Sequence, residues 1–258
     1  MENTFALIMA GGVGSRFWPK SRKHLPKQYL NLTGTNSMIQ NAAERFRQLV
    51  SEEKILVVTT KEQGPIIQDQ LSWLAPENII YEPMGKNTAP AIGLSAIHIA
   101  ERDPNAKMIV APADHLIQNT NEYLSVFQKA ISLTNQFPSS LITIGIHPTY
   151  PATGYGYIQQ GEEKEANEIH FNKVKAFAEK PSLDVAQQFF DSGEFLWNSG
   201  TFVWRVDTIL NAIDNYMPEL YDSLLKIKEV IGTNDLEKIT EKTYKEIFSE
   251  SIDYGIME

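Results

Sequence analysis

Short apolar runs alternate with helical patterns through the first 150 residues, and this alternation limits the possible folds more than any other feature. The runs are rich in β-branched residues, as in strands that are buried on both faces. Predicted strands lie at 5–10, 55–59, 78–81, 108–111 and 141–145, and predicted helices at 38–50, 63–74, 89–100 and 121–134. Such a chain is expected to form a doubly wound α/β sheet, with ligands beyond the carboxyl ends of the strands.

After residue 150 the pattern changes to more polar strands and amphipathic helices. Predicted strands lie at 155–160, 169–178 and 202–206, an acidic turn at 161–167, a helix from Ser182 or Asp184 to residue 190, and mostly helix from 207 to about 248. No Pro-, Ser- or Gly-rich linker divides the chain, so we expect one continuous domain over 1–258. Residues 1–150 would form the sheet, and 151–258 an α+β elaboration that covers one side of its cleft.

Composition excludes several classes of function. With 23 basic and 32 acidic residues the net charge is −9, so we expect no binding to nucleic acid or to anionic membranes. The absence of cysteine excludes disulfides, thiolate metal sites and a cysteine nucleophile. No apolar run approaches the roughly 20 residues of a membrane span, and the first residues lack the basic region of a signal peptide. A cytoplasmic protein is therefore predicted.

Three glycines and an arginine directly follow the first predicted strand, in Ala-Gly-Gly-Val-Gly-Ser-Arg at residues 10–16. Glycine backbone can approach an anion closely, so this turn is a candidate phosphate site, although a plain strand-to-helix turn has the same composition. The dinucleotide fingerprint is excluded because Phe17 stands where its third glycine belongs. The phosphate loop of the G-x-x-x-x-G-K-[ST] type is excluded because Gly85-Lys86 is followed by Asn87.

Five cationic side chains lie within residues 16–27 of this acidic chain. Two prolines stiffen the segment, and Phe17 and Trp18 are candidates to anchor it, which predicts an ordered wall beside the glycine turn. Cations against such a turn make a site for a polyphosphate, with Arg16 and Lys27 as the candidates for phosphate charge. For the other cations surface solvation remains equally open: Lys20, Arg22 and Lys23.

These residues resemble the signature of the sugar-1-phosphate nucleotidyltransferases. The match begins with Gly-Gly-Val-Gly-Ser-Arg-Phe-Trp-Pro at 11–19 and Pro-Lys-Gln-Tyr-Leu at 26–30. It continues in order through Glu-Pro at 82–83, Asn-Thr-Ala-Pro-Ala-Ile at 87–92, Pro-Ala-Asp-His at 112–115, Thr-Gly-Tyr-Gly-Tyr-Ile at 153–158, Glu-Lys-Pro at 179–181, Trp-Asn-Ser-Gly at 197–200 and Ser-Ile-Asp-Tyr at 251–254. Blocks that span the chain in the same order argue against chance similarity.

The resemblance implies a mixed, mainly parallel, Rossmann-like sheet of the nucleotide-diphospho-sugar transferase type. The motifs look like the branch that converts GTP and mannose 1-phosphate to GDP-mannose and pyrophosphate, with Mg²⁺ as the cofactor. In that reaction the sugar phosphate attacks the α-phosphorus of GTP, which needs positioned cations rather than a protein base. We expect a nucleotide-binding half at 1–150 and a sugar-phosphate half at 151–258. We also expect a monomer or a homodimer.

On the nucleotide side, the resemblance makes Arg16, Lys27 and Asp114 the predicted catalytic residues, with Asp114 as the metal ligand. Outside the family, the less favoured alternative is that Asp114 caps the following helix, and His115 is expected to shape the same turn. The predicted nucleotide-binding residues are Ala10, Gly11, Gly12, Gly14, Ser15, Arg16, Glu82, Asn87, Thr88, Ala89 and Asp114. Asn87 or Thr88 is also expected to cap a helix. Lys86 replaces a frequent arginine, which leaves a phosphate role there in doubt.

The predicted sugar-phosphate residues are Gly154, Tyr155, Gly156, Glu179, Lys180 and Asn198. Glu179 and Asn198 are expected to bind neighbouring hydroxyls and so to recognise the axial 2-hydroxyl of mannose. Lys180 is expected to pair with the phosphate of the sugar. Outside the family context, Glu179 and Lys180 would be an ordinary surface pair.

The sequence departs from the family pattern at its end. The family continues with a strand whose Trp-Ser-Asp-type segment supplies a second metal carboxylate, and no such segment is present here. We therefore expect a truncated chain with impaired activity. Asp253 is not expected to substitute, because the family places that block on the sugar side.

Two other functions remain open. One keeps the fold but uses glucose 1-phosphate with dTTP or UTP, against which the Phe-Trp-Pro and Asn-Thr-Ala-Pro blocks argue. The other is a noncatalytic regulator that binds GDP-mannose. Such a regulator is expected to have lost the phosphate and metal residues, whereas Arg16, Lys27 and Asp114 are all present.

Overall fold

A computed structural model describes residues 3–12, 17–22, 25–32 and 34–257. Strands and helices alternate through the first half, and a hairpin, a long strand and further helices follow. The strands are β1 (Thr4–Met9), β2 (Ile55–Thr60), β3 (Ile79–Glu82), β4 (Lys107–Pro112), β5 (Ile142–Ile146), β6 (Tyr157–Ala166), β7 (Ile169–Ala178) and β8 (Phe195–Arg205). The helices are α1 (Met38–Phe46), α2 (Gly64–Gln70), α3 (Thr88–Arg102), α4 (Thr120–Gln136), α5 (Leu183–Ser192), α6 (Val206–Tyr216), α7 (Pro218–Lys228) and α8 (Leu236–Glu246).

Within the described ranges the strands form one eight-stranded mixed sheet. Its order is β3-β2-β1-β4-β8-β6-β7, with β5 paired to β8. Strands β1 to β4 are parallel, and helices supply the crossovers between them. Strand β8 runs antiparallel to its neighbours and pairs with β4, β5 and β6 along its length. The predicted mixed α/β sheet with an α+β elaboration is confirmed.

Helices cover both faces of the sheet, because successive strand residues point to opposite faces. Leu7 of β1 packs into the apolar layer of α3, α6, α7 and α8, and Ile8 packs into the layer of α1, α2 and α4. Trp204 and Tyr244 are fully buried in the first layer. The α3 layer therefore contains residues from both halves of the chain.

The structure corrects four predicted boundaries, one of which is the end of helix α2 at Gln70 rather than at residue 74, because Leu71 leaves the helical conformation. The acidic segment 161–167 belongs mostly to β6, because its carboxylates pair with lysine and histidine side chains of the hairpin. The turn itself is formed by Asn167 and Glu168, whose φ angles of 50° and 62° suit a tight two-residue hairpin. The strand predicted at 202–206 begins at Phe195, because its first half pairs with β5 and β6. Helix α1 ends at Phe46 rather than at residue 50.

Among the described helices, none combines the length and the hydropathy needed to span a bilayer.

Candidate active site

Three predicted site residues lie where the parallel strands end. Ala10 directly follows β1, Glu82 is the last residue of β3, and Asp114 stands two residues after β4. Ala10 N donates to Val58 O at 2.9 Å, which extends the pairing of β1 and β2 to the start of the glycine turn. Doubly wound sheets bind their ligands at this edge.

Buried neutral side chains hold the glycine turn. Gln28 Nε2 donates to Ala10 O at 2.7 Å and to Gly12 O at 2.9 Å. Gln28 also donates to Gln63 Oε1 at 3.0 Å, and the Tyr29 hydroxyl donates to the same oxygen at 2.9 Å. Burial raises the pKa of Tyr29 to about 12, so its hydroxyl remains a neutral donor. The carbonyl oxygens of Ala10 and Gly12 therefore point toward these buried side chains.

Two predicted catalytic residues meet in an ion pair between Lys27 Nζ and Asp114 Oδ2. Lys27 begins the short helical turn Lys27–Tyr29, which also carries Gln28, so one turn places both the cation and the support of the glycine turn. The two side chains are 22% and 25% exposed, which leaves the pair accessible from one side. The pair can therefore exchange partners when an anion or a cation binds.

The segment after Asp114 is held by a buried cation. Arg45 Nη2 donates to His115 O at 3.4 Å, and the Arg45 guanidinium lies 5.7 Å from the centre of the Tyr123 ring. Burial lowers the pKa of His115 and favours the neutral imidazole. No signal in the sequence points to Arg45, because a charged residue on a helix is usually exposed.

Glu82 is almost completely buried, with 3% of its surface exposed. The Tyr244 hydroxyl, from α8, donates to Glu82 Oε1 at 3.1 Å. Glu82 Oε2 lies beside Gly11, where a Cβ atom would stand 3.1 Å from it. Burial raises the pKa of Glu82 to about 7, although the hydrogen bonds from Tyr244 and from the Lys86 backbone lower it. Glu82 therefore supports the glycine turn from the interior of the protein.

Helix α3 begins at the predicted nucleotide loop. Asn87 Oδ1 accepts a hydrogen bond from Thr88 N at 2.9 Å, which confirms the predicted cap. Thr88 Oγ1 accepts from Ile252 N at 2.9 Å, and Ala89 N donates to Glu250 O at 3.1 Å. We call residues 250–254 the strap. The nucleotide-binding roles of Asn87, Thr88 and Ala89 stay predictions.

Four predicted sugar-side residues are brought together beside the first half of β8, which itself carries Asn198. Asn198 N donates to Gly156 O at 2.7 Å. A Cβ atom on Gly156 would overlap Glu179 Oε2, so any larger residue there would displace the Glu179 carboxylate. Lys180 Nζ pairs with Glu179 Oε1 at 2.8 Å, and the Glu179 side chain is 17% exposed.

The strap reaches this side as well. Asn198 Nδ2 donates to Asp253 Oδ1 at 2.6 Å, and Asn198 Oδ1 accepts from Gly200 N at 3.0 Å. Burial raises the pKa of Asp253, the nearby Glu179 charge also raises it, and the bond from Asn198 lowers it. Asp253 therefore contacts a residue that the sequence predicts for the sugar side, and that role stays a prediction.

The remaining candidates have other surroundings. Tyr155 packs edge-on against Trp197 with ring centres 5.1 Å apart, and a Cβ atom on Gly154 would meet open space. Trp18 is 74% exposed and presents its ring to Arg22, so the prediction that it anchors the cationic segment is wrong. Three predicted residues lie outside the described part of the chain: Gly14, Ser15 and Arg16.

Sequence reasoning missed the residues that support the site rather than line it. Gln28 and Tyr29 stand in the Pro-Lys-Gln-Tyr-Leu block, and their polar side chains beside the predicted catalytic lysine were an available signal. Tyr244 had none, because its partner Glu82 is 162 positions away in the chain.

The fold is that of a doubly wound α/β protein, and it brings predicted site residues together at the carboxyl edge of its parallel strands. The nucleotidyl transferase family model matches residues 5–241, and the chain belongs to this family.

Its relatives include sugar-phosphate enzymes of bacteria. The chain is 38% identical to the mannose-1-phosphate guanylyltransferase RfbM of Salmonella typhimurium, over 98% of this chain and 52% of the relative. It is 37% identical to the mannose-1-phosphate guanylyltransferase of Escherichia coli K12, over 98% and 54%. The chain therefore spans about half the length of the curated relatives it matches.

Solved structures share the fold. A crystal structure described as a mannose-1-phosphate geranyltransferase from Thermus thermophilus matches with a TM-score of 0.88 and 28% identity, over 99% of this chain and 71% of that one. A mannose-6-phosphate isomerase from Helicobacter pylori matches with a TM-score of 0.79 and 27% identity, over 99% and 93%.

Proposed function

We propose that the chain transfers a guanylyl group from GTP to mannose 1-phosphate and so makes GDP-mannose and pyrophosphate. The observation that carries the proposal is the Lys27–Asp114 pair beside the glycine turn, at the edge where doubly wound sheets bind ligands. The relatives from Salmonella and Escherichia are named for this reaction. A cytoplasmic location and a monomeric or dimeric state remain predictions from the sequence.

The reaction needs little acid–base chemistry. An oxygen of the sugar phosphate attacks the α-phosphorus of GTP, and the bond from that phosphorus to the bridging oxygen breaks as pyrophosphate leaves. The nucleophile is already an anion, so no proton has to be removed. The protein must bring two anions together and neutralise the charge that develops.

The nucleotide side supplies backbone and positive charge. The backbone of Gly11 and Gly12 can approach phosphate oxygens closely because neither residue has a side chain. Lys27 Nζ acts as a point charge that exchanges Asp114 for a phosphate oxygen when GTP binds. Arg16 is proposed to grip the departing phosphates with its planar fork.

Asp114 fits a divalent cation, and we propose Mg²⁺. Mg²⁺ binds one or two carboxylates and completes its shell with substrate phosphates and water. The Asp114 carboxylate is partly exposed, so an ion can reach it once Lys27 exchanges Asp114 for a phosphate oxygen. The described residues contain no cluster of three acidic or histidine ligands, so phosphate oxygens and water would complete the shell. When bound, the ion neutralises charge on the reacting phosphates.

On the sugar side, Lys180 is proposed to bind the phosphate of mannose 1-phosphate. In the structure its ammonium group pairs with Glu179 at 2.8 Å, and this pair must open for the phosphate. Glu179 is then available to accept hydrogen bonds from sugar hydroxyls.

Pyrophosphate release from pairs of substrates tests the proposal. GTP, ATP, UTP and dTTP are each combined with mannose 1-phosphate and glucose 1-phosphate in excess Mg²⁺. We expect the fastest release with GTP and mannose 1-phosphate, and a loss of about 10²-fold in Lys27→Ala. Lys129→Ala, which removes an exposed lysine of α4, is the matched control.

Three other outcomes would contradict the proposal. Faster release with glucose 1-phosphate and dTTP or UTP would support another nucleotidyltransferase. Binding of GDP-mannose without release would support a noncatalytic regulator. The third outcome is isomerisation of mannose 6-phosphate in place of pyrophosphate release. This reaction is assayed in parallel because the Helicobacter neighbour is named for it.

A further inference from the structure

A groove of about 430 Å³ lies beside the strap and apart from the predicted site. The described residues that line it come from 216–220, where α6 meets α7, from 246–248, at the end of α8, and from the strap and the residue after it. The strap turns Asp253 toward Asn198, whereas Glu250 and Tyr254 line the groove. The groove and the sugar side are therefore separate surfaces.

The floor of the groove is apolar and already formed. Leu220 and Ile247 line it with only 5% and 4% of their surfaces exposed. A Cβ atom on Gly255 would overlap Met217 Sδ, so the chain after the strap packs directly against the junction of α6 and α7. A site of this kind needs little rearrangement to accept an apolar side chain.

Three aromatic side chains that line the groove are open to solvent. Tyr216 is 69% exposed, Phe248 75% and Tyr254 52%. Aromatic residues are enriched where proteins bind one another, and grouped exposed apolar residues mark such surfaces. The aromatic rim therefore indicates a site for another polypeptide.

The rim is also acidic. Glu219, Glu246 and Glu250 line the groove, and its described lining residues include no lysine, arginine or histidine. Lys245, next to Glu246 in the chain, pairs instead with Glu241 at 3.3 Å. Negative charge beside apolar surface complements a partner that carries positive charge beside an apolar side chain.

We propose that the groove is a docking site for a short cationic segment of a partner protein, in which lysine or arginine flanks a large apolar residue. The apolar residue fills the groove, whose volume suits about one or two large side chains rather than a folded surface. The flanking cations pair with the glutamates and lie against the exposed aromatic rings. This inference is independent of the proposed function, because none of the predicted site residues takes part.

A second copy of this chain is a poorer occupant. A twofold contact places the same patch on both copies, so the three glutamates of one groove would face those of the other. Such like-charge contacts oppose association. Charge thus favours a basic partner over self-association.

Selection from a library of short random peptides displayed on phage tests the proposal. The peptides are selected on the parent protein, and the bound sequences are read. We expect a shared pattern of one tryptophan, phenylalanine or leucine with lysine or arginine on both sides.

Calorimetric titration with a selected peptide then locates its site. Phe248→Ser should weaken binding by about 10- to 30-fold. Leu183→Ser, which removes an exposed apolar side chain at the start of α5, is the matched control and should bind like the parent. The melting temperatures should stay the same, because both side chains are exposed.

The acidic rim is tested separately. Glu246→Gln should weaken binding of the same peptide by up to about fivefold, and this loss should disappear at about 1 M salt. Glu101→Gln, at an exposed position of α3, makes the same change of charge elsewhere and should bind like the parent.

The inference is overturned if the selected peptides lack the expected pattern or bind Phe248→Ser as tightly as Leu183→Ser. It is also overturned if sedimentation shows that the parent self-associates and that Phe248→Ser does not, because the groove then holds a second copy. If Phe248→Ser does not fold, Tyr216→Ser decides by the same comparison.

Discussion

The nucleotide side and the sugar side of the site are built in different ways. On the nucleotide side, a backbone turn is held by Gln28 and Tyr29, each only 2% exposed. On the sugar side, charged side chains hold one another, and the Lys180 side chain is 55% exposed. One side is therefore fixed by burial, whereas the other can exchange its internal pairs for ligand contacts.

This difference predicts where substitutions act. A change in the support of the glycine turn should lower the stability of the protein together with its affinity for GTP, because buried groups lose their partners. A change in the sugar side should lower affinity or selectivity for the sugar phosphate with little effect on stability, because exposed ion pairs contribute little to folding. Four predictions test this separation, from the largest effect to the smallest.

Asp114→Asn should reduce turnover by about 10²- to 10³-fold with excess Mg²⁺, since it removes one charge from the metal site with little change in shape. The free energy of unfolding should change little, because the side chain is partly exposed. Steady-state rates of pyrophosphate release measure the loss. Asp222→Asn is the control, and a rate within about threefold of the parent would exclude the metal assignment.

Glu82 should make stability depend on pH. Its pKa is raised from 4.5 to about 7 in the folded protein, so the folded state binds the proton more tightly than the unfolded state does. The free energy of unfolding should therefore fall by up to about 3 kcal/mol as pH rises from about 4.5 through 7. Urea unfolding of the parent and of Glu82→Gln measures this difference.

In Glu82→Gln this part of the pH dependence should disappear. Glu101→Gln, at an exposed position of α3, should retain the parent profile. An unchanged slope in Glu82→Gln would show that the buried carboxyl is not the source.

Lys180→Ala should weaken binding of mannose 1-phosphate by about 10- to 100-fold and leave GTP binding nearly unchanged. The reason is that Lys180 belongs to the sugar-side group and pairs there with Glu179. Calorimetric titration with each ligand measures the two affinities. Lys226→Ala, on the exposed surface of α7, is the control, and equal losses for both ligands would remove the distinction between the two sides.

Gln28→Met should cost about 1–2 kcal/mol of stability and weaken GTP binding severalfold, because the carbonyls of Ala10 and Gly12 lose their donor. Mannose 1-phosphate binding should not change. Urea unfolding and calorimetry test both effects against Gln128→Met, at an exposed position of α4. A loss confined to the sugar phosphate would reverse the comparison.

Local patterns predicted most of the fold. The β-branched runs locate β1 to β4 because buried parallel strands have a composition unlike that of the helices between them. The acidic segment 161–167 misled the prediction, because polar residues on a solvated hairpin satisfy their charges across the two strands. Strand β8 was predicted too short, because the pairing that extends it comes from strands distant in sequence.

Residues of the candidate site could be predicted where they belong to a sequence motif. Lys27 and Asp114 stand in separate motifs, and the structure joins them. The contacts of the strap and the Tyr244–Glu82 bond were not predicted, because each of these hydrogen bonds joins residues more than 50 positions apart. Nothing in the local sequence distinguishes such partners from ordinary polar residues.

Isotopic labelling of GTP tests the proposed guanylyl transfer most directly. The chain is incubated with mannose 1-phosphate, Mg²⁺ and GTP labelled at either the α- or the γ-phosphorus, and the products are separated. We expect the α-label to enter a nucleotide sugar and the γ-label to leave as pyrophosphate. Transfer of γ-label to the sugar, release of γ-label as inorganic phosphate, or recovery of unchanged GTP would contradict this reaction.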